Sequence, residues 1–471
     1  MRREHDCLGE MELSDEVYYG VQTQRARENF PISAFPAARH PLYIERLARM
    51  KRAAAQANKA CGCLAPEIAD AVIAAADKVI AGGFQDQFPL DIFQGGGYTS
   101  LNMNMNEVLA HLANEALTGR KGYDRVHPNT HVNMGQSTND MMPSALKLFC
   151  APAIDALAAE LQATRAVLER KEKEFAAVVK VGRTCLQDAL PITLGQEFSG
   201  YKCFVQRQIE TFAAIRPECF ILTVGGTAIG TGLGAFPGYR DAFYRFLSED
   251  LGETVRPDAN LYDGMQNADF YVRLHALVKS TACGLSKIAR DMRLMSSGPR
   301  AGLGEIALPA VQAGSSIMPG KINPVMPEVI IQVAYQICGN DTAVTMAVEG
   351  GELDLNVWEP VHLKNIAESF MLLTNALREF TRRCLAGVTA NRAACATDAH
   401  NTPALSTVVA AILGYEEGVR VASHAEKKNL SVRQAVLELG LMSEKDADRL
   451  LDPLLLTDPE KSAALCKQWK S

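Results

Sequence analysis

The chain has 471 residues, enough at about 100–200 residues per domain for two to four domains and a sizeable core. Apolar residues make up 48% and charged residues 22%, a globular balance that excludes a disordered, collagen-like or coiled-coil chain. With 48 Lys and Arg against 54 Asp and Glu, a net charge of −6 and only two Trp, neither a broad basic face nor base-stacking platforms are expected, so no nucleic acid is expected as partner.

The N-terminus, Met1-Arg2-Arg3-Glu4-His5-Asp6, is charged and no apolar segment follows it, so no secretory signal is expected. Apolar stretches are soon interrupted, as Val72–Ala76 is by Asp77 and Lys78, and none approaches the ~18 residues of a membrane helix. Twelve Cys are too dilute for a disulfide scaffold, and Cys61-Gly62-Cys63 lacks the two-residue spacer of zinc sites. Most of them are expected as small buried hydrophobes in a cytoplasmic, reducing setting.

Helical periodicity dominates the middle of the chain. Pro143–Lys180 carries Leu146, Phe149, Ala153, Leu157, Leu161 and Leu168 on one spacing, with Pro152 predicting a kink or a split. Leu194–Ile215, Ala268–Leu294, Pro327–Val348 and Val361–Leu385 read the same way, and all five exceed the ~11–12 residue mean of globular helices. Strand signals are scarce and no internal repeat is evident, so an all-α chain built on a long helical bundle is predicted. Polar loops separate the helices: Gln94–Ser100, Gln136–Asp140, Gly182–Asp188, Gly225–Gly238 and Gly314–Pro324, rich in Gly, Ser, Thr and Asn.

Gly225–Gly234 lacks the Lys-Ser/Thr of a phosphate loop and no βαβ unit surrounds it, so a turn between helices is the better reading. His127, His131 and His275 are each better read as polar or satisfied helix histidines than as catalytic groups. Gly314-Ser-Ser-Ile-Met-Pro-Gly-Lys-Ile-Asn-Pro324 is far more specific: two adjacent hydroxyls, a Lys and an Asn lie within nine residues, flanked by Gly and Pro.

That string resembles the signature loop of the aspartase/fumarase superfamily. Glu4–Glu10, Tyr18–Thr23, Thr99–Glu107, His131–Asp140 and Leu353–Pro360 extend the resemblance over nearly the whole chain. Tyr18-Tyr-Gly-Val-Gln-Thr and Asn323-Pro-Val-Met-Pro-Glu328 are most similar to the aspartase branch. The resemblance implies reversible elimination of ammonia from L-aspartate to give fumarate, a carbon–nitrogen lyase reaction without metal or other cofactor. It implies an all-α fold of three regions, taken as 1–138, a long-helix bundle over 139–393 and a small helical region over 394–471. It also implies a homotetramer whose active sites are shared between subunits.

The roles it implies are specific. Ser315 is the general base, acting as an alkoxide, and Ser316 donates to the carboxylate that takes up charge. Lys321, Asn323 and Thr184 bind the α-carboxylate, Thr99, Ser137 and Thr138 the β-carboxylate, and Asn139 the leaving amino group. These types suit the chemistry: removing a proton beside a carboxylate creates an enediolate, whose extra charge needs donors already in place. Gly304, Gly314 and Gly320 are candidate hinges for loop closure.

Three positions depart from the family pattern. Cys185 stands where a histidine is usual, Tyr98 where Gly is usual, and Gly234 where Asn is usual. Cys185 and Tyr98 are therefore candidates for an altered leaving-group pocket, beside the readings of a tolerated swap at Cys185 and a Tyr98 ring packed between helices. They keep open a lyase of the same superfamily acting on an N-substituted aspartate, beside a class II fumarase acting on malate.

Overall fold

The computed structural model describes residues 1–470. Strands Arg2–Asp6 (β1) and Gly9–Leu13 (β2) open the chain as an antiparallel hairpin with Arg2 opposite Leu13. Helices Val21–Asn29 (α1), Pro41–Ala60 (α2), Pro66–Ile80 (α3) and Thr99–Thr118 (α4) follow. Proline opens α2 and α3, where its missing N–H has no intrahelical bond to lose. Gly119, at φ +78, closes α4 by donating its N–H to the Glu115 carbonyl at 2.9 Å.

α4 is buried without interruption from Leu101 to Asn114, so its polar side chains need partners inside the protein. Asn104 Nδ2 donates to the Gln87 carbonyl at 2.9 Å, and Glu107 accepts from the backbone N–H groups of Gly20, Gln22 and Thr23. His111 Nδ1 lies 2.8 Å from the Tyr18 carbonyl. The short Asn-Met alternation of this helix is thus a row of internal fasteners rather than a surface.

Thr138–Glu174 (α5) is one helix of 37 residues. Pro152 does not split it, and it ends six residues before the predicted Lys180. The reason lies in Val179–Thr184 (β3), which pairs antiparallel with Gln187–Thr193 (β4) instead of extending the helix. Val179 and Val181 are buried, and Lys180 between them is buried too, its ammonium 2.7 Å from Glu197 and 3.1 Å from Glu305. By length and composition α5 is able to cross a membrane, but 67% of its apolar window is buried inside the protein.

Leu194–Ile215 (α6) is followed by Ile221–Leu222 (β5), Tyr239–Leu251 (α7) and Arg256–Pro257 (β6), with β5 and β6 parallel. Leu261–Gln266 (α8), Asp269–Met295 (α9), Ile306–Ala307 (β7), Val325–Glu349 (α10) and Glu359–Arg383 (α11) come next. The predicted bounds of α6, α9, α10 and α11 hold within two residues, because long apolar spacing is the strongest local signal. Thr389–Ala390 (β8) pairs with β7, and short helices from Arg392 to Lys470 end the chain.

The chain forms two compact units. The first comprises Met1–Ala158, Glu210–Ser280 and Tyr335–Leu372. Its core includes Tyr43, Leu47, Tyr98, Tyr239 and Phe243, all at 0% exposure. Here His275 is satisfied on both ring nitrogens, 3.0 Å from Asp341 and 2.9 Å from Ser369. In that Ser–His–Asp order His275 and Ser369 are at 0% exposure, with Ser369 also receiving the Asn340 amide at 3.0 Å, so it knits three helices and offers no accessible nucleophile.

The second unit comprises Ala159–Ile209, Thr281–Ala334 and the chain from Leu373 onward. A cluster of Val409, Ile412, Val421, Val432, Val436 and Leu450 fills its C-terminal part. Ser431 opens one of the helices there with a capping box closed by Gln434. All twelve cysteines are free thiols, but only Cys150, Cys219, Cys384 and Cys395 are buried. The expectation that most would be buried is therefore corrected: Cys7, Cys185, Cys203 and Cys283 are exposed, the last two on α6 and α9, which present one face outward.

Candidate active site

Two groups of the expected residues take shape, one in each unit. In the first unit, Ser137 caps α5. Its Oγ accepts the Asn139 N–H at 3.2 Å, and its own N–H donates to Asp140 Oδ1 at 3.0 Å, a capping box with Asp in the reciprocal position. Because the Ser137 oxygen is the acceptor there, its hydroxyl proton is left to donate to a ligand. Asn139 Nδ2 donates to the Ala228 carbonyl at 2.8 Å, which leaves its Oδ1 as an acceptor, the polarity an ammonium group needs.

Asp140 anchors this turn from inside. It is fully buried and accepts the N–H groups of Gly225 at 3.2 Å and Thr227 at 3.0 Å, tying the Gly-rich segment to the start of α5. Gly225–Gly234 is accordingly a structural turn, as its sequence suggested, and Gly234 at φ +92 has open space where a side chain would stand. Burial pushes the Asp140 carboxyl up to about 7 and pulls the Lys51 ammonium, buried on α2, down to about 7, each partly offset by the other's charge. Lys51 was not singled out in the sequence; its signal was a lone cation on the apolar Tyr43–Leu47–Met50–Ala54 face of α2.

Thr99 and Tyr98 stand apart from that group in orientation. Tyr98 occupies the left-handed region, φ 62, at the N-cap of α4, the conformation for which glycine is ordinarily selected. Its ring is at 0% exposure against Tyr43, and its hydroxyl donates to the Ile92 carbonyl at 3.0 Å. The phenol is thus turned into the core. Thr99, the first residue of α4, is exposed, and its hydroxyl donates back to the Gly96 carbonyl at 2.7 Å. Glu359 Oε2 lies close beneath Gly97, and burial pushes that carboxyl up to about 8.

In the second unit the segment 314–324 is a closed, largely exposed turn. Gly314 N–H donates to the Lys321 carbonyl at 2.8 Å, and Asn323 Nδ2 to the Gly314 carbonyl at 2.7 Å. Only glycine fits position 314, since a Cβ there would lie 2.5 Å from the Lys321 oxygen. Ser315 Oγ accepts the N–H groups of Met318 at 2.9 Å and Ile317 at 3.2 Å. Two donors on one hydroxyl oxygen favour its ionised form. Ser316 and Lys321 are exposed beside it, and Asn323 keeps one N–H for a ligand.

Thr184 ends β3, paired with Gln187 across a two-residue turn. Cys185 and Leu186 form that turn with φ 54 and 60, both left-handed, the pattern of a type I′ turn usually built from Asn and Gly. Both are exposed, and Thr184 with them. Arg183 beside Thr184 is paired with Glu305, whose side chain is fully buried and also holds Lys180, so one carboxylate steadies the base of the hairpin. Among the described residues no three His, Cys, Asp or Glu side chains group as metal ligands.

Residues 9–339 match the family described as lyase, and residues 405–458 the fumarase C C-terminus. An aspartate ammonia-lyase of Helicobacter pylori is 44% identical over 460 residues, covering 98% of each chain. A fumarate lyase/delta crystallin of Brucella melitensis, bound to cobalt, superposes with a TM-score of 0.94 at 41% identity, covering 97% of this chain and 100% of that one. A class II fumarase of Schistosoma mansoni gives 0.93 at 34% identity, covering 97% and 99%.

Proposed function

The chain belongs to the lyase family, and we infer that it is an ammonia-lyase that interconverts L-aspartate with fumarate and ammonia. The observation that carries the chemistry is the Ser315 oxygen, which accepts two backbone N–H groups within a turn that Gly314 and Asn323 close. As an alkoxide it takes the proton from the carbon beside the β-carboxylate. The C–H electron pair moves into that carboxylate as an enediolate, whose collapse forms the C=C bond and expels ammonia with the C–N pair. The proton then leaves Ser315 to solvent.

The remaining residues divide the substrate between them in this reading. Ser137 and Thr138 present hydroxyls to the β-carboxylate, and Thr99 joins them once its hydroxyl swings off Gly96. Asn139 Oδ1 accepts from the amino group as it departs. Lys321, Asn323 and Thr184 hold the α-carboxylate, with Ser316 donating to the developing charge. Hydrogen bonds to charged groups contribute on the order of 1.5–3 kcal/mol each, enough for a small diacid to be held by neutral donors and one Lys. Cys185 at an exposed hairpin tip brings neither positive charge near neutral pH nor a strong donor, and here it is a neutral variation of the leaving-group side.

The functional enzyme in this reading is a cytoplasmic homotetramer whose sites combine segments of different subunits. Tyr335, Met346 and Met371, 60%, 63% and 51% exposed on α10 and α11, support it as apolar surface a partner would cover. Two measurements test the proposal. Following fumarate absorbance with aspartate, N-substituted aspartates and malate should show aspartate preferred; a preference for malate overturns the assignment. Ser315→Ala should lower kcat by about 10³-fold or more with an unchanged melting profile, and retained turnover removes Ser315 as the base.

A further inference from the structure

We propose that Asn102 on α4 is a positioning residue that fixes the direction of the Thr138 hydroxyl, forcing it to donate its proton outward to a carboxylate. The proposal rests on the reading above that Thr138 binds the substrate. It follows from a chain of amides in which each orientation determines the next. Asn133 Nδ2 donates to the Gln136 carbonyl at 3.1 Å, a group that can only accept. Asn133 must therefore turn its Oδ1 to the other side.

Three donors converge there. Asn106 Nδ2 is 3.0 Å from that oxygen, Asn102 Nδ2 3.2 Å, and the Lys51 ammonium 3.2 Å, while Lys51 also donates to Gln136 Oε1 at 2.9 Å. Facing an acceptor, Asn102 has to present its NH2 end, and the same nitrogen lies 3.0 Å from Thr138 Oγ1. Thr138 Oγ1 is thus an acceptor toward the protein, and among the described residues it donates to no atom of the chain. Its proton has one use left, a ligand acceptor. Asn102 and Lys51 are about 1% and 0% exposed, so water does not compete for these orientations.

The experiment separates binding from chemistry. Asn102→Asp keeps size and shape but replaces the donor by an acceptor, so the Thr138 hydroxyl turns inward. KM for aspartate and the inhibition constant of succinate, an unreactive dicarboxylate, should both rise ~10-fold with kcat within about threefold, the signature of lost uniform binding. Asn102→Ala, which frees the hydroxyl without reversing it, should raise both about threefold and serves if the Asp variant does not fold. Thr138→Val should match Asn102→Asp, and the double variant should be no worse than either, since both remove one proton.

Unaltered KM and succinate inhibition in the Asn102 variants, beside a weakened Thr138→Val, overturn the proposal alone. Additive effects in the double variant also overturn it. A Thr138→Val chain that binds succinate normally overturns the binding role of Thr138 and this proposal with it.

Discussion

The start of α5 and the segment 314–324 use the same alphabet of Ser, Thr, Asn and Gly, yet they are built in opposite ways. Around Thr138 the polar atoms are buried or half-buried and interlocked with α2 and α4, so each hydroxyl has its direction assigned before any ligand arrives. Around Ser315 the turn is exposed and its hydrogen bonds are internal to it. The buried group is suited to recognise a rigid diacid. The exposed one is suited to rearrange, with its basic oxygen the part it keeps prepared. Identical residue types thus acquire a recognition role or a reactive role according to what surrounds them.

Titration probes the unit that carries the start of α5 most strongly. The Glu359 carboxyl beneath Gly97 has its value raised from 4.5 to about 8, so the folded chain holds a proton that the unfolded chain has released between those values. Stability from this group is complete below pH 4.5 and is lost as pH rises through 8. Thermal melts at pH 5 and pH 8.5 should show a loss on the order of 3–5 kcal/mol that Glu359→Gln abolishes. Equal pH dependence in both chains would remove Glu359 from this account.

Gly314→Ala challenges the exposed half. A Cβ crowding the Lys321 carbonyl should disturb the Ser315 turn and lower kcat by about 10²-fold, with the melting temperature little changed. If stability falls instead and kcat holds, the turn is structural and the contrast dissolves. Lys51→Met should do the reverse. Depriving the half-buried Gln136 Oε1 of its charged donor costs about 1–3 kcal/mol of stability by chemical denaturation, with KM rising more than kcat falls. Smallest is Leu186→Gly, which relieves a left-handed residue and should add about 1 kcal/mol with no effect on turnover.

Much of this was legible in the residues. The long helices declare themselves by apolar spacing, and the motifs around Ser315 and Ser137 stand out through their resemblance to the aspartase/fumarase superfamily. The hairpin over Val179–Thr193 was not legible, because Lys180 interrupts an apolar run and its partners, Glu197 on α6 and the buried Glu305, come later in the chain. Its turn of Cys185 and Leu186 lacks the Gly or Asn that normally announces one. Tyr98, a large residue in a glycine position, left an altered pocket and packing between helices both open, and its ring is absorbed by the core. Lys51 and Asn102 looked like ordinary helix residues, since a polar side chain reveals its purpose only when tertiary neighbours are known.

The two-residue tip at Cys185 and Leu186 has an evolutionary corollary. Strand faces alternate residue by residue, so adding or deleting one position there would throw β4 out of register with β3 and break the pairing of Gln187 with Thr184, whereas changing the letters would not. Descendants of this gene should therefore tolerate substitutions at 185 and 186 better than indels at that spot.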